Sequence, residues 1–135
     1  MDEPKYTDNY PGPCLQKISD MRQYGRSILD KWPRYWKETL GKDIENEMLM
    51  MLRLATKGRL HYMNQSTLKD LDVSKAMLDM FLREANSTIF TDRKGEQRRL
   101  LTNHSFGTWT GYTSEIGKLI GAWIKSTADR KDHRR

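Results

Sequence analysis

Apolar residues recur at spacings of three and four along four stretches of this chain, and nowhere do they alternate with polar ones. That period lines one face of a helix, whereas a half-buried strand needs a period of two. A helix with one apolar stripe must bury it against other elements. The chain is therefore predicted to be all-α, an antiparallel four-helix bundle with no strand.

The first predicted helix runs from about Leu15 to Trp32, with Ile18, Met21, Gly25, Ile28 and Trp32 on one face. Pro33 ends or bends it, because proline lacks the N–H and disfavours helical geometry in the residue before it. The second runs from Gly41 to about Tyr62, with Ile44, Met48, Met51, Leu52 and Ala55 inward. Its early Asp43, Glu45 and Glu47 and its late Lys57 and Arg59 suit the helix dipole, while Gly58 weakens it by about 1 kcal/mol relative to alanine. The third spans Ser66 to Asn86, with Leu68, Leu71, Leu78, Leu82 and Ala85 inward and Ser66 as its N-cap. The fourth spans Asn103 to Thr127 behind an N-cap at Thr102, and Phe106, Trp109, Ile116, Leu119, Ile120 and Trp123 form its apolar face. Gly107, Gly111, Gly117 and Gly121 give it two G-x-x-x-G spacings, which predict close approach of a neighbouring helix. Trp109 and Tyr112 fall on a different face from Gly117 and Gly121, which leaves a surface for self-association.

Around the bundle, assigned to residues 15–127, the reading places a flexible arm over 1–14 and a charged tail over 128–135. Pro4, Pro11, Gly12 and Pro13 interrupt the arm. A chain of 135 residues suits one domain. It has no apolar run of membrane-spanning length and no signal-peptide layout at its start, and its lone cysteine, Cys14, gives no sign of an oxidising compartment. A cytoplasmic protein with no membrane partner is expected.

Catalysis finds no footing. His61, His104 and His133 are isolated, no phosphate-binding, nucleophile-elbow or zinc motif occurs, and a lone cysteine is more often inert than nucleophilic. The carboxylates of the second helix read as a solvated first turn. No enzyme, metal or cofactor is expected.

Binding is better supported. Lys and Arg number 24 against 18 Asp and Glu, a formal charge of +6. Such a balance favours polyanions, since each phosphate neutralised releases a condensed counterion. Lys57 and Arg59 form one basic group. Lys118, Lys125, Arg130, Lys131, Arg134 and Arg135 form another, although cations at a helix C-terminus are explained by the dipole alone. The third lies in the connection from Ser87 to Leu101. That connection is long for a bundle, where about 2 to 8 residues are usual, so it is either functional or floppy. Its Arg93, Lys94, Arg98 and Arg99 accompany only Glu96 among seven residues. A basic segment of this kind can track a phosphate backbone without reading sequence. Trp32 reads as core, and Tyr35 and Trp36 as the aromatic residues available for stacking on bases.

Two motifs carry a resemblance: Trp32-Pro33-Arg34 with Lys37-Glu38-Thr39-Leu40-Gly41-Lys42-Asp43-Ile44-Glu45, and Glu115-Ile116-Gly117-Lys118-Leu119-Ile120-Gly121-Ala122-Trp123-Ile124-Lys125-Ser126. Between them lie Ala76-Met77-Leu78 and Phe81-Leu82-Arg83-Glu84-Ala85. Over roughly Met21 to Ser126 the chain resembles the accessory variability determinant (Avd) proteins of diversity-generating retroelements. These belong to a wider four-helix-bundle group that includes proteins encoded by ribosomal-RNA intervening sequences. The resemblance implies a homopentameric barrel that binds reverse transcriptase and template RNA, with its repeat and flanking segments, and performs no chemistry itself. By motif position it implies Arg83, Lys118 and Lys125 as members of the contact surface. Asp79 stands where a basic residue is common, and the Ser87–Leu101 connection is longer than usual. The runner-up is a stand-alone, RNA-associated bundle of the intervening-sequence type with no reverse transcriptase. A structural oligomer with an incidental basic surface is the third reading.

Overall fold

A computed structural model of the protein describes residues 10–61 and 64–133, with side chains through Ala128. Its elements are helices α1 (Pro11–Leu29), α2 (Arg34–Glu38), α3 (Leu40–Leu60) and α4 (Gln65–Ser87), strands β1 (Ile89–Thr91) and β2 (Gln97–Arg99), and helix α5 (Asn103–His133). The four long helices were legible in the spacing. The strands and α2 were not.

Helix α1 opens on proline, whose fixed φ and missing N–H suit a first turn. Pro11 and Cys14 are buried in that turn, so the helix claims the end of the stretch expected as an arm; residues 1–9 of that stretch lie outside the described residues. Pro33 then acts as expected. It takes φ −56° and ψ 146°, outside helical geometry, and caps the single turn of α2. Trp32 is left between helices, yet it is buried as predicted.

Helix α4 starts at Gln65 with Asn64 at its N-cap position, not Ser66. The Asn64 side chain caps nothing. Its Nδ2 donates to the Gly58 carbonyl at 2.5 Å, and its Oδ1 accepts from Thr127 Oγ1 at 3.3 Å. A buried amide thus ties the end of α3 to α5. Thr102 does cap α5, its Oγ1 accepting from the Ser105 N–H at 3.1 Å. Helix α5 continues through His133 and so covers most of the stretch expected as a charged tail; residues 134 and 135 lie outside the described residues.

The helices form a closed antiparallel ring in which α1 touches α3 and α5, and α4 touches the same two. Opposed residues give the directions: Arg26 pairs with Glu45, Ser74 bonds Glu47, and Lys17 pairs with Glu115. Leu68, Leu71, Leu78, Leu82 and Ala85 of α4 are all buried, as are Ile18, Met21, Ile44, Met48, Met51, Trp109, Ile116, Ile120 and Trp123. Each fully buried aliphatic or aromatic side chain contributes about 1.5–3 kcal/mol.

The glycines of α5 do not bring a neighbouring helix of the same chain close. A Cβ at Gly107, Gly111 or Gly121 would meet nothing within 4 Å, and one at Gly117 would meet the Lys75 side chain at 3.2 Å. The close approaches fall elsewhere. A Cβ at Gly25 would collide with the Trp109 ring, and one at Gly58 would stand 3.0 Å from Leu68 and 3.3 Å from Trp123. Gly58 is less a flaw in α3 than the seat of an indole.

Candidate nucleic-acid interface

The basic connection between α4 and α5 is an ordered β-hairpin. Strands β1 and β2 pair antiparallel, with Ile89 opposite Arg99, Phe90 opposite Arg98 and Thr91 opposite Gln97. Three-residue strands carry too little alternation to be noticed in sequence; the turn chemistry was the available signal. Gly95 takes φ +82°, a left-handed conformation that costs glycine least. Its N–H donates to the Asp92 carbonyl at 3.0 Å, and the Asp92 N–H donates to the Glu96 carbonyl at 2.8 Å. Asp92 fastens the loop from inside: Oδ1 accepts the Lys94 and Glu96 N–H groups at 2.9 Å each, and Oδ2 accepts Arg98 Nε at 2.7 Å. The Glu96 amide first, then Arg98 and the Lys94 amide, hold the Asp92 carboxyl below its ordinary range.

This arrangement sorts the four basic residues. Arg93 and Lys94 are exposed at the tip. Arg98 shares its charge with Asp92 and, at 3.8 Å, with Glu96. Arg99 Nη1 donates to the Asn86 carbonyl at 2.8 Å and anchors the hairpin on α4. Leu100 and Leu101 behind it enter the core, the Leu101 N–H donating to the Ala85 carbonyl at 3.2 Å.

The other candidates are not all brought together with it. Arg83 is exposed near the end of α4 that carries the hairpin. Lys57, Arg59 and Lys125 are exposed at the opposite end, where Gln65 Nε2 donates to the Ile124 carbonyl at 3.1 Å. Lys118 is exposed midway along α5. From Asn103 to Lys125 the helix runs about 33 Å at 1.5 Å per residue. The two basic ends therefore cannot grip one small ligand, although an extended strand could reach both. Side chains of the remaining tail cations, Arg130, Lys131, Arg134 and Arg135, lie outside the described residues.

Sequence reasoning missed a groove between the end of α1 and the hairpin, of about 590 Å³, walled by Lys31, Trp32, Phe90, Arg99, Asn103 and Ser105 among others. Of the proposed stacking residues, Tyr35 is exposed and Trp36 half-buried, their rings edge to face at 5.0 Å. Neither lines the groove.

Burial pushes the Cys14 thiol up to about 12, which removes its nucleophilic thiolate at neutral pH. Among the described residues no three His, Cys, Asp or Glu side chains gather as a metal site would require, and no helix is long and apolar enough to cross a membrane.

Compared with known proteins, residues 14–127 match the model of a family described as bAvd-like. No curated protein matches the chain.

Proposed function

The chain belongs to the bAvd-like family, and from that premise we propose that it is a non-catalytic accessory protein of a diversity-generating retroelement. In this reading it assembles as a homo-oligomer, most simply the pentameric barrel that the Avd resemblance implies. It binds reverse transcriptase and template RNA through its basic surface and so supports mutagenic copying. The observation that carries the RNA half is the hairpin, which presents Arg93 and Lys94 on a turn braced by Asp92. A braced turn offers its charges with less ordering cost than a free loop would. The second basic cluster, about 33 Å away by the helical rise, suits a polymer that runs along the bundle.

Titration of a structured RNA at two ionic strengths tests this, together with co-purification with a reverse transcriptase of a diversity-generating retroelement. Affinity should fall with salt by about 0.7–0.9 in log K per phosphate contact per decade. An affinity indifferent to salt would remove the basic surface from the mechanism. Salt-sensitive RNA binding without retention of a reverse transcriptase would assign the chain to the stand-alone role.

A further inference from the structure

The groove between α1 and the hairpin combines features that no phosphate-tracking surface needs. Trp32 in its wall is only 7% exposed, and its indole N–H has no acceptor among the described residues. A Cβ at Gly41 would stand 3.5 Å from the Trp32 Cε3 edge, so that edge faces α3 and the N–H lies on the opposite edge of the ring. Phe90, half-buried, shares the wall. Cations flank these rings. Lys31 is exposed and its ammonium has no partner among the described residues, while Arg99 spends one N–H on Asn86 and keeps the rest. The N-terminus of α5 opens at the same place, with no acidic residue in its first turn. Thr102 caps the Ser105 N–H there, which leaves the helix dipole and the N–H groups of Asn103 and His104 to attract an anion.

We propose that this groove takes one unpaired nucleotide of an RNA strand, its base against Phe90 beside the Trp32 ring, and its phosphate between Lys31, Arg99 and the α5 N-terminus. The inference rests on the RNA-binding reading and narrows it to single strands at this point. A volume of about 590 Å³ lies within the usual range for small-ligand sites. Base stacking on an aromatic ring tolerates any sequence, because every base has a π-face. An acidic peptide would satisfy the cations but bring no flat ring to Phe90. A duplex would keep its bases stacked and paired, out of reach.

Anisotropy of the full chain with a labelled oligouridylate, and with a blunt RNA duplex of equal length, tests the proposal. Phe90→Leu keeps an apolar wall and removes the ring. It should weaken oligouridylate binding by about fivefold or more, the lower bound for one stacked base, and leave duplex binding nearly unchanged. Arg93→Gln with Lys94→Gln, at the hairpin tip, should weaken both. A readout without mutation of the wall is the Trp32 indole N–H resonance, assigned by its loss in Trp32→Phe, which should move when uridine monophosphate is added. Equal loss for both RNAs, no loss in Phe90→Leu, or a still resonance overturns the groove while leaving RNA binding intact. Displacement of oligouridylate by oligoglutamate with the same resonance shift would assign the groove to an acidic peptide. Parent protein that binds neither RNA overturns the groove and the RNA-binding reading together.

Discussion

Gly25 and Gly121 occupy long helices of one bundle and answer opposite demands. The first leaves room for the Trp109 ring, and the second faces open space. Gly25→Ala should cost about 1–3 kcal/mol by overpacking, more than the helix propensity it gains. Gly121→Ala should stabilise the isolated protomer by up to about 1 kcal/mol. Denaturant midpoints of the two variants, moving in opposite directions, check both. Asp92 gives a residue-scale prediction in pH. Its folded-state pKa lies below the ordinary 3.8, so its stabilisation of the hairpin is complete above that value. It is lost as acid carries the pH down through the lowered one. The protection of the Lys94 and Glu96 amides, taken relative to the intrinsic exchange rate at each pH, should fall there, and Asp92→Ala should show that lower protection across the pH range.

The elements differ in how plainly the sequence announced them. Leu68, Leu71, Leu78, Leu82 and Ala85 repeat a helical period over four turns, and every one is buried. Period alone was enough there. Ser66 was mistaken for a cap because Ser is a good one; the backbone instead starts α4 behind Asn64, whose side chain is drawn away by two tertiary hydrogen bonds. Such a contact across 63 residues has no local trace. The hairpin was hidden for another reason. Strands of three residues show no clear alternation, and the basic residues invited a reading as solvated loop. Only Asp92 and Gly95 hinted at a turn. Of the candidate site, the cations were visible as charge, but their division between two ends of the molecule and the groove beside Trp32 depend on packing. Neutralising Arg93 and Lys94 should therefore leave thermal melting nearly unchanged, within about 0.5 kcal/mol per exposed position, and weaken RNA association. Trp123→Ala should do the reverse and cost about 3–5 kcal/mol. Circular dichroism melts beside RNA titrations separate the two classes.

At the scale of the whole molecule the bundle is closed inwardly but not finished outwardly. Val73, Met77 and Met80 of α4 are 62%, 39% and 63% exposed, at helical spacing. An apolar stripe of this kind is where the homo-oligomer proposed above would close. Light scattering should return a multiple of the 16.0 kDa protomer mass. Val73→Glu with Met80→Glu should lower that mass while the helical signal persists. A monomer in the parent protein would remove the assembly from the proposed function. The hairpin has one more consequence. It leaves and rejoins the bundle at a single point, where the Leu100 N–H donates to the Thr88 carbonyl at 2.8 Å. A chain that exits and returns through neighbouring residues behaves as a cassette, and its length is free of the scaffold that carries it. Replacing residues 89–99 by a short glycine linker should give a shorter protein with the same four-helix melting transition, so that lineages or designers can exchange the tip without relearning the fold.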